Sequence, residues 1–225
     1  MSQRALVLIG LCFIVLHSCQ QQTWESTMAA GQRSVREGNY AEAERIYLVA
    51  VQKAEEFGRE DRRVAVSLSQ LAQVYAGQGK YVEAEPVYLR ALQIYQSVHG
   101  EYHPDVAATL NNLGVLHRMY GQYADAEPLL TRALIVKEKL LGPDDPDVAL
   151  SLANLGQLWV ARGQPQKAEP MYRRALAIRR KALGPSDPEV AKSSEDLATV
   201  LRKLGRNDEA VVLDLQAREI RAKRS

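Results

Sequence analysis

The fold of this chain is set by the segment VAATLNNLGVLHRMYGQYADAEPLLTRALIVKEKLLGPDDPD, residues 106–147, which the chain repeats at once as VALSLANLGQLWVARGQPQKAEPMYRRALAIRRKALGPSDPE, residues 148–189. The two segments align without gaps over 42 positions, of which 21 are identical. Self-similarity at a fixed spacing indicates a repeat architecture, in which each unit packs against its neighbours. We therefore expect a succession of stacked units instead of one common core.

The period extends in both directions from this pair. Pro104, Pro146 and Pro188 are spaced by 42 residues, and so are Gly79, Gly121, Gly163 and Gly205. The period predicts a degenerate first unit, three full units and a partial, capping unit at the carboxyl end. Their predicted bounds are 24–61, 64–105, 106–147, 148–189 and 190–225.

Each unit is predicted to be an antiparallel pair of helices. Leu110, Leu113 and Gly114 follow helical spacing, and Gly121 then ends the helix, since glycine accepts the positive φ of a helix C-terminus. Between units, the pairs Asp145-Pro146 and Asp187-Pro188 supply an N-cap followed by proline at the first helical position.

Prolines and alanines also recur within the second helices. Because proline lacks the backbone N–H, we expect Pro86, Pro128 and Pro170 in the first helical turn, where that group has no partner inside the helix. Repeated alanines predict close helix packing. They are Ala84, Ala126, Ala168, Ala210, Ala91, Ala133, Ala175 and Ala217.

Composition agrees with an all-helical protein and excludes some functions. The 225 residues are 46% hydrophobic but only 6% aromatic, which favours helices packed through small side chains over a large aromatic core. The 29 basic and 27 acidic residues are mixed along the chain. They leave no broad basic surface for nucleic acid, so we expect no nucleic-acid partner.

The amino terminus differs from the rest of the chain. A short positive start, Met1 to Arg4, precedes the uncharged apolar run Ala5 to Leu16. Twelve apolar residues are too few to span a bilayer comfortably but suit the apolar region of a secretory signal peptide. Residues 1–18 are therefore predicted to be a cleaved signal, and residues 19–23 a short tether.

The end of this run, Leu16-His17-Ser18-Cys19, resembles the lipobox of bacterial lipoproteins, although His17 departs from its usual pattern. The resemblance implies lipidation of Cys19 and a cell-envelope protein; with Gln20 next, it implies an outer-membrane lipoprotein that faces the periplasm. Anchoring in the inner membrane and secretion are the alternatives. Another possibility is that Cys19 is incidental and the apolar run is an uncleaved anchor.

The repeat itself resembles the tetratricopeptide repeat (TPR). The residues that carry the resemblance are Leu110, Leu113, Gly114, Gly121, Ala126, Leu130 and Ala133, with Leu152, Leu155, Gly156, Trp159, Gly163, Ala168, Tyr172 and Ala175 in the next unit. The 42-residue period is similar to the longer variant found in kinesin light chains and many bacterial proteins. The resemblance implies an all-α, right-handed α-solenoid of stacked helix-turn-helix units that acts as a protein-protein interaction scaffold.

Residues that could carry catalysis are few. His99 and His103 have the i, i+4 spacing of helical metal ligands, but Gly100 and Pro104 favour an inter-unit turn, in which His103 holds the capping position of Asp145. His117 aligns with aromatic residues of other units and is expected to pack between helices. We therefore predict no enzyme, no cofactor and no metal.

Binding is the better-supported function, because stacked hairpins form a concave groove lined by their first helices. Carboxamides can both donate to and accept from a peptide backbone, so amides dominate the predicted peptide-binding groove. Its residues are Gln70, Gln73, Asn111, Asn112, Arg118, Asn154, Gln157 and Arg202, with Glu195 and Asp196 beside them. The alternative is that these side chains only solvate an exposed face.

The sequence as a whole predicts a lipid-anchored, non-catalytic adaptor that binds a peptide segment or protein partner in this groove. A second hypothesis is an assembly factor of an envelope complex that acts through repeat edges or self-association. The basic end, Arg218 to Arg224, is expected to be a solvated helix terminus, with contact to acidic surfaces or lipid headgroups as the alternative.

Overall fold

The computed structural model describes the backbone of residues 3–223 and the side chains of residues 20–223. This part of the chain contains ten α-helices and no strand, which confirms the predicted all-α class. The helices are α1 (Gln3–Arg36), α2 (Tyr40–Glu55), α3 (Arg62–Gly77), α4 (Tyr81–His99), α5 (Pro104–Met119), α6 (Tyr123–Leu141), α7 (Pro146–Ala161), α8 (Pro165–Leu183), α9 (Pro188–Lys203) and α10 (Asn207–Ala222).

The starts of α7 and α9 follow the predicted capping chemistry. Asp145 caps α7, and its carboxylate accepts the backbone N–H of Asp147 at 2.8 Å. Asp187 caps α9 in the same way, also at 2.8 Å. Proline is the first residue of both helices, where its fixed φ suits the helix and its missing N–H removes no bond.

The ends of the first helices also agree with the sequence. Gly163 follows α7 with φ +72°, a conformation that a side chain makes unfavourable. Its N–H bonds to the carbonyl of Val160, and the N–H of Gln164 bonds to the carbonyl of Trp159. These bonds satisfy carbonyls that the helix end leaves open and turn the chain into α8.

The prediction for the prolines of the second helices was wrong in position. Pro128 is the sixth residue of α6 and Pro170 the sixth of α8, so both lie beyond the first turn. These helices begin two residues after the turn glycine, earlier than the sequence indicated. Both prolines are exposed, so the carbonyl that lacks a donor because of each proline lies on the solvent side, where water can bond to it.

The contacts divide the chain into two compact units, which meet in sequence between Val98 and His99. In the first unit, α1 packs on α2 and α2 on α3. The indole N–H of Trp24 donates to Ser67 Oγ at 2.9 Å, and Lys80 forms an ion pair with Glu44 at 2.7 Å, so α1 and α2 are both tied to the following hairpin.

In the second unit, three antiparallel hairpins follow one another. The helices pair as α5 with α6, α7 with α8, and α9 with α10, while α6 packs on α7 and α8 packs on α9. Consecutive second helices are joined by polar contacts on their outer side, such as Arg174 with Glu138 at 2.5 Å and Arg180 with Gln216 at 2.7 Å. The repeat boundaries stay predictions.

Small residues let the helices of each hairpin approach closely. The eight alanines predicted to pack are all buried, none more than 1% exposed. A Cβ placed on Gly156 of α7 would lie 2.7 Å from the ring of Tyr172 in α8, and one on Gly114 would lie 2.6 Å from Leu130 Cγ. The large side chain of the second helix thus occupies the space that each glycine leaves.

The predicted signal, residues 1–18, and the side chain of Cys19 lie outside the part of the chain whose side chains are described. Residues 19–23, for which the sequence predicts a tether, lie within α1. Within the described residues, no helix combines the length and the apolar character that crossing a membrane requires.

Candidate peptide-binding surface

The first helix of each hairpin exposes one stripe of side chains at helical spacing. In α7 the stripe consists of Asp147, Leu150, Asn154, Gln157 and Ala161, while most of the remaining residues are buried. The corresponding residues of α5 include Asn111, Asn112 and Met119. We call these the α7 stripe and the α5 stripe; α5 and α7 are in contact within the second unit.

One bond joins the two stripes. The side-chain amide of Asn154 donates to Asn111 Oδ1 at 2.8 Å, so two of the predicted groove residues are brought together and bonded to each other. By contrast, Asn112 and Gln157 are half-buried and make no side-chain hydrogen bond within the described residues. Their amides keep donors and acceptors available for another molecule.

Tyrosines of the second helices lie beneath one repeat position of the first helices, the position that Gln70 and Asp196 hold. Sequence reasoning missed this arrangement. In the first unit, the hydroxyl of Tyr47 donates to Gln70 Oε1 at 3.5 Å, so the Gln70 amide is partly occupied. In the second unit, Tyr172 lies near Asp196, which holds the same repeat position as Gln70. The glycines at 31 and 156 were the available signal, because a missing Cβ at each makes room for a ring.

Arg118 and Asp196 shift the pKa of the same buried tyrosine, Tyr172, in opposite directions. Burial raises the pKa of Tyr172, the negative charge of Asp196 raises it further, and the positive charge of Arg118 opposes both. Arg118 Nε is buried and has no hydrogen-bond partner among the described residues. Burial also raises the pKa of the Asp196 carboxyl, with Lys192 and Arg179 acting against the shift.

The remaining predicted residues lie apart from this group. Gln73 is exposed on α3 in the first unit and makes no side-chain hydrogen bond to the described residues. Arg202 forms an ion pair with Asp214 of α10, within its own hairpin. Its guanidinium is therefore engaged by the terminal hairpin, and its role in a groove stays a prediction.

The structure adds two apolar side chains that the sequence did not single out. Leu150 in the α7 stripe is 43% exposed and Met119 in the α5 stripe is 49% exposed. Such residues contribute apolar contact area to a ligand that the amides hold by its backbone. Sequence reasoning missed them because an apolar residue in a helix is first expected in the core.

The three histidines outside the predicted signal differ in environment. His103 caps α5, where its Nδ1 accepts the backbone N–H of Asp105 at 3.2 Å. The rings of His99 and His103 stack with centroids 3.9 Å apart. His117 is buried between helices, as expected, and its Nδ1 lies 2.6 Å from Gln122 Oε1.

The paired helices and their recurring arrangement define a class of protein, the helical-repeat proteins. The sequence profile of the tetratricopeptide repeat matches residues 63–139, 121–181 and 160–223, which together make up more than half of the chain. The chain therefore belongs to the tetratricopeptide repeat family, and its fold class is the right-handed α-solenoid of stacked TPR hairpins. This fold is typical of protein-protein interaction scaffolds.

Solved structures of related fold agree with this assignment. BtubC (BKLC) from P. vanneervenii is 28% identical with a TM-score of 0.80, and the match covers 88% of this chain and 80% of that chain. A kinesin light chain from Podosopora anserina with nearly identical TPR-like repeats is 26% identical with a TM-score of 0.77, covering 89% and 96% of the two chains. These matches confirm the similarity to kinesin-light-chain-like repeats.

A third structure shares the fold alone. The Rap protein, solved in complex with Competence and Sporulation Factor, is 19% identical with a TM-score of 0.71; the match covers 91% of this chain and 57% of that chain. No curated protein matches the sequence significantly.

Proposed function

We propose that this protein is a non-catalytic adaptor that binds an extended peptide segment, presented by a partner protein, along the exposed stripes of its first helices. The observation that carries the proposal is the pair of half-buried amides, Asn112 and Gln157, which have no side-chain hydrogen bonds to the described residues. Amides on neighbouring helices, α5 and α7, suit an extended backbone, whose N–H and C=O groups alternate along its length.

Two further observations support a peptide ligand. Leu150 and Met119 add exposed apolar surface to the same stripes, so a bound segment would find both hydrogen bonds and apolar contact. The Rap protein, which shares the fold, was solved in complex with Competence and Sporulation Factor. We carry over from that protein only that a chain of this fold forms a complex with another molecule.

The test substitutes the two open amides. The variant Asn112→Ala with Gln157→Ala, and the wild type, would be used to capture partners from solubilised envelopes, followed by fluorescence anisotropy with overlapping synthetic peptides of the captured protein. We expect the variant to weaken peptide binding at least tenfold, which is about 1.4 kcal/mol. A matched control, Thr131→Ala with Gln166→Ala, changes exposed residues of α6 and α8 and should bind as the wild type does. Equal binding by all three proteins would exclude the stripes.

We further propose that lipidation of Cys19 anchors the protein to the envelope, in the outer membrane and facing the periplasm. Several buried acyl chains would hold a protein at a membrane almost permanently, since each buried CH₂ contributes about 0.8 kcal/mol. Metabolic labelling with palmitate tests this. We expect Cys19→Ser to lose the label and Cys12→Ser to keep it, whereas equal labelling of both variants would refute the anchor.

A second candidate function, assembly through the repeat edge, is favoured by one observation. Helix α10 exposes Val211, Val212 and Leu215 by 52%, 53% and 51%. Adjacent exposed apolar side chains suit contact with another copy or another envelope protein. If the wild type self-associates in sedimentation velocity and Val212→Ser with Leu215→Ser abolishes it, the edge is the interface; a monomeric wild type argues against self-association.

A further inference from the structure

We propose that His99, His103 and Asp105 form a binding site for one divalent transition-metal ion of the Zn²⁺ type. All three residues belong to the second unit. One ligand atom from each lies within 4.8 Å of the other two. Asp105 Oδ2 is 3.9 Å from His99 Nε2 and 3.7 Å from His103 Nδ1.

The donor types select the class of metal. Two imidazole nitrogens and a carboxylate oxygen are ligands that Zn²⁺ prefers, whereas Ca²⁺ and Mg²⁺ require six or more oxygens. With metal-ligand bonds of about 2.0–2.2 Å, tetrahedral ligands lie roughly 3.3–3.5 Å apart. The observed separations of 3.7 and 3.9 Å are therefore only slightly wider than a bound ion requires.

The side chains need a small rearrangement to bind the ion. The two imidazole rings are nearly parallel, with an interplanar angle of 13°, so their nitrogen lone pairs point side by side. Rotation of one ring about its Cβ–Cγ bond is needed to make them converge. The three side chains are 23%, 31% and 26% exposed, but the His99 Nε2 atom is itself buried, so the ring rotation must also open this atom to the ion.

Both histidines lie at the junction between two helices. His99 is the last residue of α4, and His103 caps α5, with Pro104 as its first residue. His103 Nδ1 accepts the Asp105 N–H at 3.2 Å, so a single hydrogen bond holds the lone pair that a metal would need at this atom. An ion bound at Nδ1 would replace that single hydrogen bond.

Comparison with the other junctions indicates that capping alone does not explain the histidines. At the 42-residue spacing, His99 corresponds to Leu141 and Leu183, and His103 corresponds to Asp145 and Asp187. The aspartates cap their helices at 2.8 Å, whereas His103 does so at 3.2 Å, so imidazole is the weaker cap. Two imidazoles meet a carboxylate at this junction and at neither of those two.

The repeats supply matched variants for the test. His99→Leu and His103→Asp each insert the residue that two other junctions of this chain already hold, so the fold should persist. We expect Zn²⁺ titration of the full chain by calorimetry to show one site of micromolar dissociation constant. Each single variant should weaken it at least tenfold and the double variant should abolish it. The cysteines are present in every variant, so a difference reports the histidines.

A reciprocal variant tests whether these residues are sufficient to bind the ion. The NMR spectrum of the wild type tests the site without any substitution. Leu141→His with Asp145→His places the same residues beside Asp147 and should create a second Zn²⁺ site. In the wild type, Zn²⁺ should shift the imidazole NMR signals of His99 and His103 and leave those of His117 in place. Unchanged His99 and His103 signals, or equal affinity of the double variant and the wild type, would overturn the proposal.

Discussion

The inner hairpin α7–α8 and the terminal hairpin α9–α10 use the same repeat positions in different ways. In the inner hairpin, the ring of Tyr172 lies against Gly156 and is 4% exposed. In the terminal hairpin the corresponding residues are Asp214 and Ala198, and Asp214 forms an ion pair with Arg202. The aromatic ring is used where a following hairpin covers it, and a charged pair is used in α9–α10, after which the described residues contain no further hairpin.

The exposure of two repeat positions near the carboxyl ends of α8 and α10 shows the same contrast. Leu176 and Arg179 of α8 are 4% and 5% exposed, and the Arg179 guanidinium donates to Ser193 Oγ of α9. The corresponding residues of α10, Arg218 and Arg221, are exposed. A repeat position thus has no fixed environment of its own; the presence of the next hairpin decides whether it is core or surface.

The strongest test of this contrast truncates the same position in both hairpins. We expect Tyr172→Ala to reduce the free energy of unfolding by roughly 3–5 kcal/mol, because it leaves a cavity under two helices. Asp214→Ala should reduce it by no more than about 1 kcal/mol, since it removes only an exposed ion pair. Urea unfolding followed by far-ultraviolet circular dichroism measures both. Losses of equal size would show that α10 is packed like an inner helix.

The glycine position gives the next largest effect. Gly156→Ala should destabilise by about 1–3 kcal/mol, because its Cβ would lie 2.7 Å from a ring that is packed in place. Helix propensity alone predicts the opposite, a gain of about 1 kcal/mol.

The reverse substitution in the terminal hairpin is the control. Ala198→Gly should also destabilise, by about 1 kcal/mol, because glycine gains backbone freedom in the unfolded chain. Thermal unfolding of both variants separates the two explanations. If Gly156→Ala is more stable than the wild type, Tyr172 can move aside freely and the close approach of α7 to Tyr172 does not affect stability.

Much of the fold could be predicted from the sequence because its signals are local and repeated. Asp145 and Pro146 identify a helix start wherever they occur together, and Gly163 marks a turn that other residues adopt with difficulty. The position of Pro128 was misjudged because the residues that start α6 carry no side-chain cap. Helix starts without a capping bond leave no sharp sequence signal.

The candidate site was less predictable because its properties depend on neighbours. The sequence placed Asn112 and Asn154 at equivalent positions, but only Asn154 is bonded, to Asn111 of the adjacent helix. The approach of His99 and His103 to Asp105 depends on how α4 ends and α5 begins, which residue spacing does not define. Periodicity identifies which face a residue occupies, and packing decides what it contacts there.

A smaller effect is expected at Asp196, which holds in the terminal hairpin the position of Asn154. Burial raises its pKa in the folded protein above that of the unfolded chain. The folded state therefore binds the proton more tightly, and stability falls as pH rises from the usual aspartate range through the raised pKa. We expect Asp196→Asn to be more stable than the wild type at pH 7, by a few tenths of a kcal/mol to about 1 kcal/mol.

Urea unfolding at a series of pH values checks the sign. The advantage of Asp196→Asn should shrink as the pH is lowered through that window, because the wild-type carboxyl then becomes neutral as well. Asn154→Asp is the reciprocal variant and should lose stability at pH 7. If Asp196→Asn is the less stable protein at neutral pH, the charged carboxylate is supported by contacts that outweigh its burial.

The smallest effect is expected for the ion pairs between successive hairpins. Burial acts to raise the pKa of Glu169, but hydrogen bonds from Arg173 and Arg206 outweigh it and hold that pKa below its ordinary value. The stabilisation is therefore complete above the usual glutamate range and is lost as pH falls through the lowered pKa. Because the Arg173 and Arg206 side chains are 45% and 40% exposed, solvent screens the pairs, and Glu169→Gln should destabilise by no more than about 1 kcal/mol, and less in high salt.

Val211 holds the same repeat position in the last hairpin and provides the counterpart. Val211→Glu restores the acidic residue of the inner units at a position where no later hairpin within the described residues supplies an arginine. We expect its unfolding free energy to stay within about 0.5 kcal/mol of the wild type, with little dependence on salt. The contrary result is a salt-sensitive gain in the unfolding free energy of Val211→Glu that is as large as the loss in Glu169→Gln. It would show that the new glutamate forms an ion pair on α10, as Glu169 does in the inner hairpin.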